Sequence, residues 1–518
     1  MKYLTITLIL ILFSSHSFAQ YQNILISDEH HPNEPSIIIN PKNPDRLVAG
    51  SNLRSYYISE DGGYSWDRGE LVSEEHGVWG DPAIIVDTAG SFYFFHLSDP
   101  VVGNWIDRIV CQKYDFENST WNDGTYMGLN GTKAQDKEWA VVDSATNTIY
   151  VTWTQFDEYG TSDASKYSNI LFSKSTDAGA TWSDAVQINE LSGDCIDSDN
   201  TVEGAVPAVG LDGEIYVAWS GPGGIVFDRS LNGGETWLDE DVFVSHQPGG
   251  WDYNIPGINR CNGLPVTCCD LSRSTFRGTI YVNWTDQRNG TDDTDVWIAK
   301  STDGGNTWSH PLRVNDDPPG KQQFLSWMTI DGANGNIYIV FYDRRNYEDR
   351  NTDVYVAGST DGGETFENIQ ISESPFYPST NAFFGDYTNI TSYNDQVRPI
   401  WTRLQNGNLS MWTAIMDVTV GMEEVVESIP FTLQQNYPNP FRETTYLSYK
   451  VMKQSEITLI VFDMFGRQVA VLKQQVAASP GKFVEMFDPR QYGLSPGVYY
   501  FMLSSNGSVE KRQMIFVE

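Results

Sequence analysis

The chain has 518 residues, 68 acidic against 33 basic side chains, and a formal net charge of −35. Such an excess of carboxylates excludes polyanionic partners, nucleic acid and anionic membrane surfaces above all. Aromatic residues at 13% and 44 glycines suit many short strands with tight turns, and the length allows one large and one small domain.

Residues 1–19 carry one lysine, an apolar run from Leu4 to Phe13, and the small residues Ser17 and Ala19 before Gln20. This is the pattern of a cleaved secretory signal. The run is too short to span a bilayer and no later stretch is apolar enough, so no transmembrane segment is expected. Next comes a short strand, residues 23–27 (NILIS), which reads like the fourth strand of the repeats that follow.

Those repeats organise the chain from residue 20 to residue 420. The turn Ser-x-Asp-x-Gly-x-x-Trp stands at residues 59–66, 175–182 and 301–308, with Asn for Asp at 230–237 and a terminal Phe at 359–366. A decayed copy at 114–121 keeps only its Trp. Ser and Asp side chains can hold turn amides, Gly supplies positive φ, and the Trp is an apolar anchor. Segments such as TIYVTW (148–153), EIYVAW (214–219) and TIYVNW (279–284) recur before the turns and read as strands. A further apolar strand precedes each, which gives seven units at a mean step of about 59 residues, somewhat longer than the usual four-stranded blade. The fold expected is all-β: a seven-bladed β-propeller whose last blade is completed by residues 23–27, followed by a small β-sandwich. Closing the ring in this way hides strand edges that would otherwise pair with other chains.

The repeated turn is the Asp-box, and on it residues 20–420 resemble the sialidase-like superfamily of β-propellers. True sialidases clamp a sialate carboxylate with three arginines, beginning at an Arg-Ile-Pro motif in the first blade. Here that position reads Glu34-Pro35-Ser36-Ile37, and Arg-Ile-Pro occurs nowhere. The resemblance therefore implies the fold and places ligands on the face opposite the turns, without implying sialidase activity.

Composition changes at residues 421–430, read as a linker. Residues 431–518 contain LQQNYPNPF, ITLIVFDMFGR and LSPGVYYFML, alternating strand and turn. These blocks resemble the C-terminal sorting domain of the type IX secretion system of Bacteroidetes. The resemblance implies that this machinery is a partner, with release or attachment at the outer-membrane surface. With nine Lys or Arg against seven Asp or Glu, this tail is not the source of the acidity.

The ligand face should gather the mouths of the first strands, where Glu34, Asp81, Glu138, Glu203 and Asp386 stand. Carboxylates beside aromatic rings suit sugars, since acids bond hydroxyls or move protons and rings stack on apolar sugar faces. Asp81, Glu138, Glu203 and Asp386 are the candidate acid and base of a glycoside hydrolase. Glu34, Trp79, Trp139, Arg288, Arg345 and Tyr387 are candidates for binding an extracellular glycan or glycoprotein. Each acid could equally tie neighbouring loops together, and Arg288 and Arg345 sit in near-copied loops that favour a clamp. A non-catalytic recognition or adhesion protein is the competing reading. Tyr342 or Tyr387 with Glu138 or Glu203 could form a Tyr/Glu pair. The acidic tracts Asp292-Asp293-Asp295 and Asp194-Asp197-Asp199 leave structural calcium open as the one cofactor. Of five cysteines, Cys195 and Cys261 fall in adjacent loops where a disulfide is expected, and no spacing indicates zinc or a catalytic thiol.

Overall fold

The computed structural model describes residues 21–258, 260–417, 431–451, 454–464, 467–505 and 508–517. The signal at 1–19 and the linker at 421–430 lie outside the described residues. The chain forms two compact units, Met1–Thr419 and Val420–Glu518.

In the first unit seven antiparallel sheets of the described strands are built on one plan, and a separate two-stranded sheet pairs Asp252–Tyr253 with Cys261–Asn262. The first strands of the seven are Ser36–Ile39, Ala83–Val86, Ala134–Val142, Glu203–Val209, Val266–Cys269, Gln323–Ile330 and Asn389–Tyr393. Each first strand packs against that of the next sheet, and Asn389–Tyr393 packs back on Ser36–Ile39. All seven line one channel of about 310 Å³. Asn23–Ser27 pairs antiparallel with Asn408–Ala414 and so supplies the outer strand of the last sheet.

Second strands such as Ile149–Phe156 and Ile280–Asp286 are buried throughout, because neighbouring sheets cover both their faces. Their shared aromatic position places Trp153, Trp219 and Trp284 among the largest fully buried side chains. The repeated turns share one bonding pattern. Ser301 Oγ accepts the Gly305 N–H at 2.9 Å and donates to Asp303, whose Oδ1 and Oδ2 take the Thr307 N–H and hydroxyl at 3.0 and 2.6 Å. Gly305, with φ 86°, lies so near Phe227 that a side chain there would collide with the ring. Trp308 from the same turn packs on Phe227 of the preceding sheet at 5.2 Å, and Trp237 packs likewise on Phe172 at 5.1 Å. Each turn thus fastens its sheet to the one before.

The second unit holds a three-stranded and a four-stranded antiparallel sheet. One apolar cluster, including Phe431, Leu447, Leu459, Phe501 and Met514, is shared between them.

The cysteine expectation is corrected: all five are free thiols. Cys195 is buried with Phe156 and Ile106, whereas Cys261 is buried with Tyr253 and Tyr342 in a different cluster, so the two do not pair.

Candidate functional site

The site is made by irregularities where the first strands begin. Glu34, Asp81, Lys137, Gly204 and Leu325 occupy equivalent places there, all with φ between 51° and 78°. In three of these strands the register shifts at Asp136/Trp139, Glu203/Val206 and Phe324/Trp327. A bulge of this kind inserts one residue and re-aims its side chain. Left-handed backbone costs a non-glycine residue roughly 1–2 kcal/mol, and such strain collects at functional sites.

At this mouth Lys137, missed by the sequence reading, is the hub. Its ammonium is buried and sits 3.1 Å from Asp81 Oδ2 and 2.9 Å from Asp386 Oδ2. Arg260, also missed, donates from Nε to Asp386 Oδ1 at 2.8 Å and from Nη1 to Asp197 Oδ2 at 3.0 Å; its Nη2 also bonds Asp386. Tyr159 donates its hydroxyl to Asp197 at 2.7 Å. Glu34 accepts from the Asn52 side chain, whose oxygen takes the Asp81 N–H at 3.1 Å. One chain of charged contacts therefore runs from Asp81 to Tyr159.

Electrostatics sort these acids. Burial opposes ionisation of Asp81, but the Lys137 charge together with hydrogen bonds from Asp136, Glu34 and Lys137 outweighs it and holds the pKa below the usual carboxylate value. Burial would lower the Lys137 pKa, yet Asp81 and Asp136 together hold it well above normal. Asp136 is pushed up to about 8, first by burial and then by Asp81. Glu138 and Glu203 are raised well above 4.5, chiefly by burial and then by neighbouring carboxylates. The carboxyl oxygens of both have no hydrogen-bond partner among the described residues.

Trp139, Trp327 and Tyr387 form an aromatic trio, with Trp139 centred 4.3 Å from Trp327 and 5.1 Å from Tyr387. With Lys137 and Asp386 they line a cavity of about 20 Å³, room for a water molecule rather than a sugar ring. Nearer solvent, Trp79 meets Trp105 edge-on at 5.7 Å, and Trp105 meets Tyr159 at 5.7 Å. Trp79 is 37% and Trp105 43% exposed. Phe383, 40% exposed, lies 5.8 Å from the Arg260 guanidinium.

Of the sequence candidates, Glu34, Asp81, Glu138, Glu203, Asp386, Trp139 and Tyr387 share this neighbourhood, and Trp79 joins it through Trp105 and Tyr159. Arg288 and Arg345 are engaged elsewhere. Arg288 grips Asp286 at 2.9 Å and lies 4.3 Å over Trp297, while Arg345 grips Asp343 at 2.9 Å and lies 4.2 Å over Tyr355. Both act as clamps of their own loops. Tyr342 spends its buried hydroxyl on the Thr402 carbonyl at 2.9 Å, which leaves Tyr387 as the phenol beside Glu138. Burial raises the Tyr387 pKa, the opposite of what an activated nucleophile needs.

The acidic tracts proposed for calcium use their oxygens on protein donors. Asp293 accepts from Gly320, Asp295 from Asn289 and Asn315, Asp194 from Thr201, and Asp199 from Asp252. Among the described residues, groups of three candidate ligands occur instead at Glu75/His76/Asp123 and at Glu190/Asp228/Asp241.

Residues 435–518 match the family model of a secretion system C-terminal sorting domain. The chain is therefore type IX cargo of a Bacteroidetes-type bacterium, secreted or held at the cell surface. No described helix is long and apolar enough to cross a membrane. No curated protein matches the chain. Among solved structures it is similar to the Hadza microbial sialidase Hz136, at 14% identity over 72% of this chain and 73% of that one, TM-score 0.41. An ulvan lyase of polysaccharide lyase family PL25 is 13% identical over 75% and 95%, TM-score 0.45. The Trypanosoma rangeli sialidase is 11% identical over 86% and 85%, TM-score 0.38.

Proposed function

We propose that this exported protein binds extracellular glycans at the mouth of a closed seven-bladed β-propeller. In this reading residues 1–19 are the signal, 20–420 the propeller sealed by Asn23–Ser27, 421–430 the linker and 431–518 the sorting sandwich. The cyclic packing of seven first strands around one channel supports the ring.

The observation that carries the binding reading is the exposed Trp79–Trp105 pair, joined through Tyr159 and Asp197 to the buried charge network. Flat rings at a polar rim suit the apolar face of a sugar, with half-exposed Arg260 and its carboxylates meeting hydroxyls. Arg260 already serves two aspartates, and the net charge of −35 opposes anionic polymers, so the ligand is a neutral glycan. Trp79→Ala and Trp105→Ala should each weaken binding on a glycan panel at least tenfold, about 1.4 kcal/mol. Unchanged affinity in both, or no binding by the wild type, sinks the reading.

Hydrolysis is the second reading, and Glu138 with Glu203 is what favours it. Both are unpartnered carboxyls whose pKa burial raises well above the ordinary carboxylate value, the direction a proton donor needs. Asp81 and Asp386, locked in ion pairs, suit acid–base work less. Reducing-end release that disappears in Glu203→Gln or Glu138→Gln supports hydrolysis; binding without release leaves recognition alone.

A further inference from the structure

The fourth sheet departs from its siblings at one inward position. Two residues before the turn serine, the other sheets with this turn have Tyr57, Ser173, Ala299 and Ala357, none of them a carboxylate, whereas the fourth has Asp228, in the strand Gly224–Ser230. Asp228 is completely buried. Its Oδ1 accepts the N–H groups of Arg229 and Leu238 at 2.6 and 3.0 Å, but its Oδ2 has no partner among the described residues. Asp241, just before the strand Val242–Ser245, also presents a buried oxygen, Oδ1, without a partner. Its other oxygen takes the Glu190 N–H at 3.4 Å. Glu190 follows the outer strand Val186–Gln187 of the preceding sheet, and one oxygen from each of the three acids lies within 4.8 Å of the others.

Leaving buried carboxylate oxygens unbonded is costly, and bringing three like charges together adds to that cost. Burial pushes Asp228 up to about 7, and burial with the Glu190 contact pushes Asp241 up to about 8. The neighbouring Arg229 charge offsets the burial of Asp228 only in part, its guanidinium bonding Gly304 and Asn306 of the next sheet.

We infer that Glu190, Asp228 and Asp241 bind a calcium ion that pins the outer edges of the third and fourth sheets together. Three carboxylates and no nitrogen or sulfur ligand select a hard cation, and water completes the shell of six to eight oxygens. Extracellular modules of this sort hold calcium with a Kd on the order of 10⁻⁴–10⁻³ M. Calcium is preferred to magnesium because an irregular three-carboxylate set does not impose octahedral geometry.

The test is calorimetric melting of the exported chain after exhaustive chelation, with calcium then added to the low-millimolar range. Calcium should raise the wild-type Tm, and magnesium should raise it less. The response should vanish in Asp228→Asn and weaken at least tenfold in apparent affinity in Glu190→Gln, whose exposed position makes it a safe variant for folding. It should persist in His76→Gln, which removes a ligand from the other acidic group. In chelator, Asp228→Asn should melt no lower than the wild type, since it loses only a repelled charge. A wild type indifferent to calcium, or a calcium response intact in both Asp228→Asn and Glu190→Gln, overturns the assignment, and an equal magnesium response overturns the choice of ion.

Discussion

Replacing Lys137 by Met tests whether the mouth is held by its buried ammonium. The substitution keeps the length of the side chain and removes the charge that stands 3.1 Å from Asp81 and 2.9 Å from Asp386. Asp386 retains Arg260, but Asp81 is left buried with no cation beside it. Removing one partner of a buried pair costs about 3–5 kcal/mol. Unfolding entropy is about 2.1 cal/mol/K per residue, so over the roughly 400 residues of this unit the loss becomes a fall in Tm of about 4–6 °C. Scanning calorimetry reads this directly. Adding Asp81→Asn to Lys137→Met should recover part of the loss, because the abandoned charge goes with it. The pH dependence has a definite sign. The Asp81 pKa is depressed by Lys137 in the folded protein, so its contribution is present above the ordinary carboxylate value and disappears as pH falls through the depressed one. The gap between wild type and Lys137→Met should therefore narrow on acidification. A single variant melting within about 1 °C of wild type, or a double variant worse than the single, would refute the reasoning.

Deleting residues 21–27 should lower the melting temperature of the whole first unit, because it strips the outer strand from the last sheet and the Asn23 contacts to Ile371 and Glu373; an unchanged transition would show that the strand does not seal the ring. The pH profile of stability should peak on the mildly acidic side. Glu138 and Glu203 have folded pKa values raised above 4.5, so the folded state keeps protons the unfolded chain releases, and stability declines as pH rises from there toward neutrality. The turn carboxylates Asp177, Asp303 and Asp361, lowered to about 2 mainly by their Ser and Thr contacts, act oppositely and lose their contribution as pH falls below 3.8. Melting curves from pH 3 to 8 check both limbs, and the Glu138→Gln/Glu203→Gln variant should flatten only the neutral one; an unaltered neutral limb counts against the burial argument.

Sequence and site are legible to different degrees because different physics writes them. The turns repeat because each solves the same problem: Ser301 and Asp303 hold the backbone, Gly305 lets it approach Phe227, and Trp308 grips the sheet before. Repetition made the sheets, their strand order and the place of residues 23–27 as an outer strand of the last sheet readable without coordinates. The opposite end carries no such redundancy. Glu34, Asp81, Lys137, Gly204 and Leu325 share one backbone position and one left-handed conformation, yet their side chains have nothing in common. The acids could be found because carboxylates at strand mouths are conspicuous; Lys137 could not, since a lysine beside Glu138 reads as an ordinary surface pair. Arg260 left a faint signal as the lone Lys or Arg among residues 245–264. Its use depends on meeting Asp386 and Asp197, distant in sequence and brought together by the fold. The same contrast explains Arg288 and Arg345. Their loops are near copies, and each arginine bonds the aspartate two residues before it, Asp286 or Asp343. The proposed sites lie where the repeat is broken: Lys137 at the channel mouth, Trp105 at the rim, and Asp228 where the third, fifth and sixth sheets keep a small side chain.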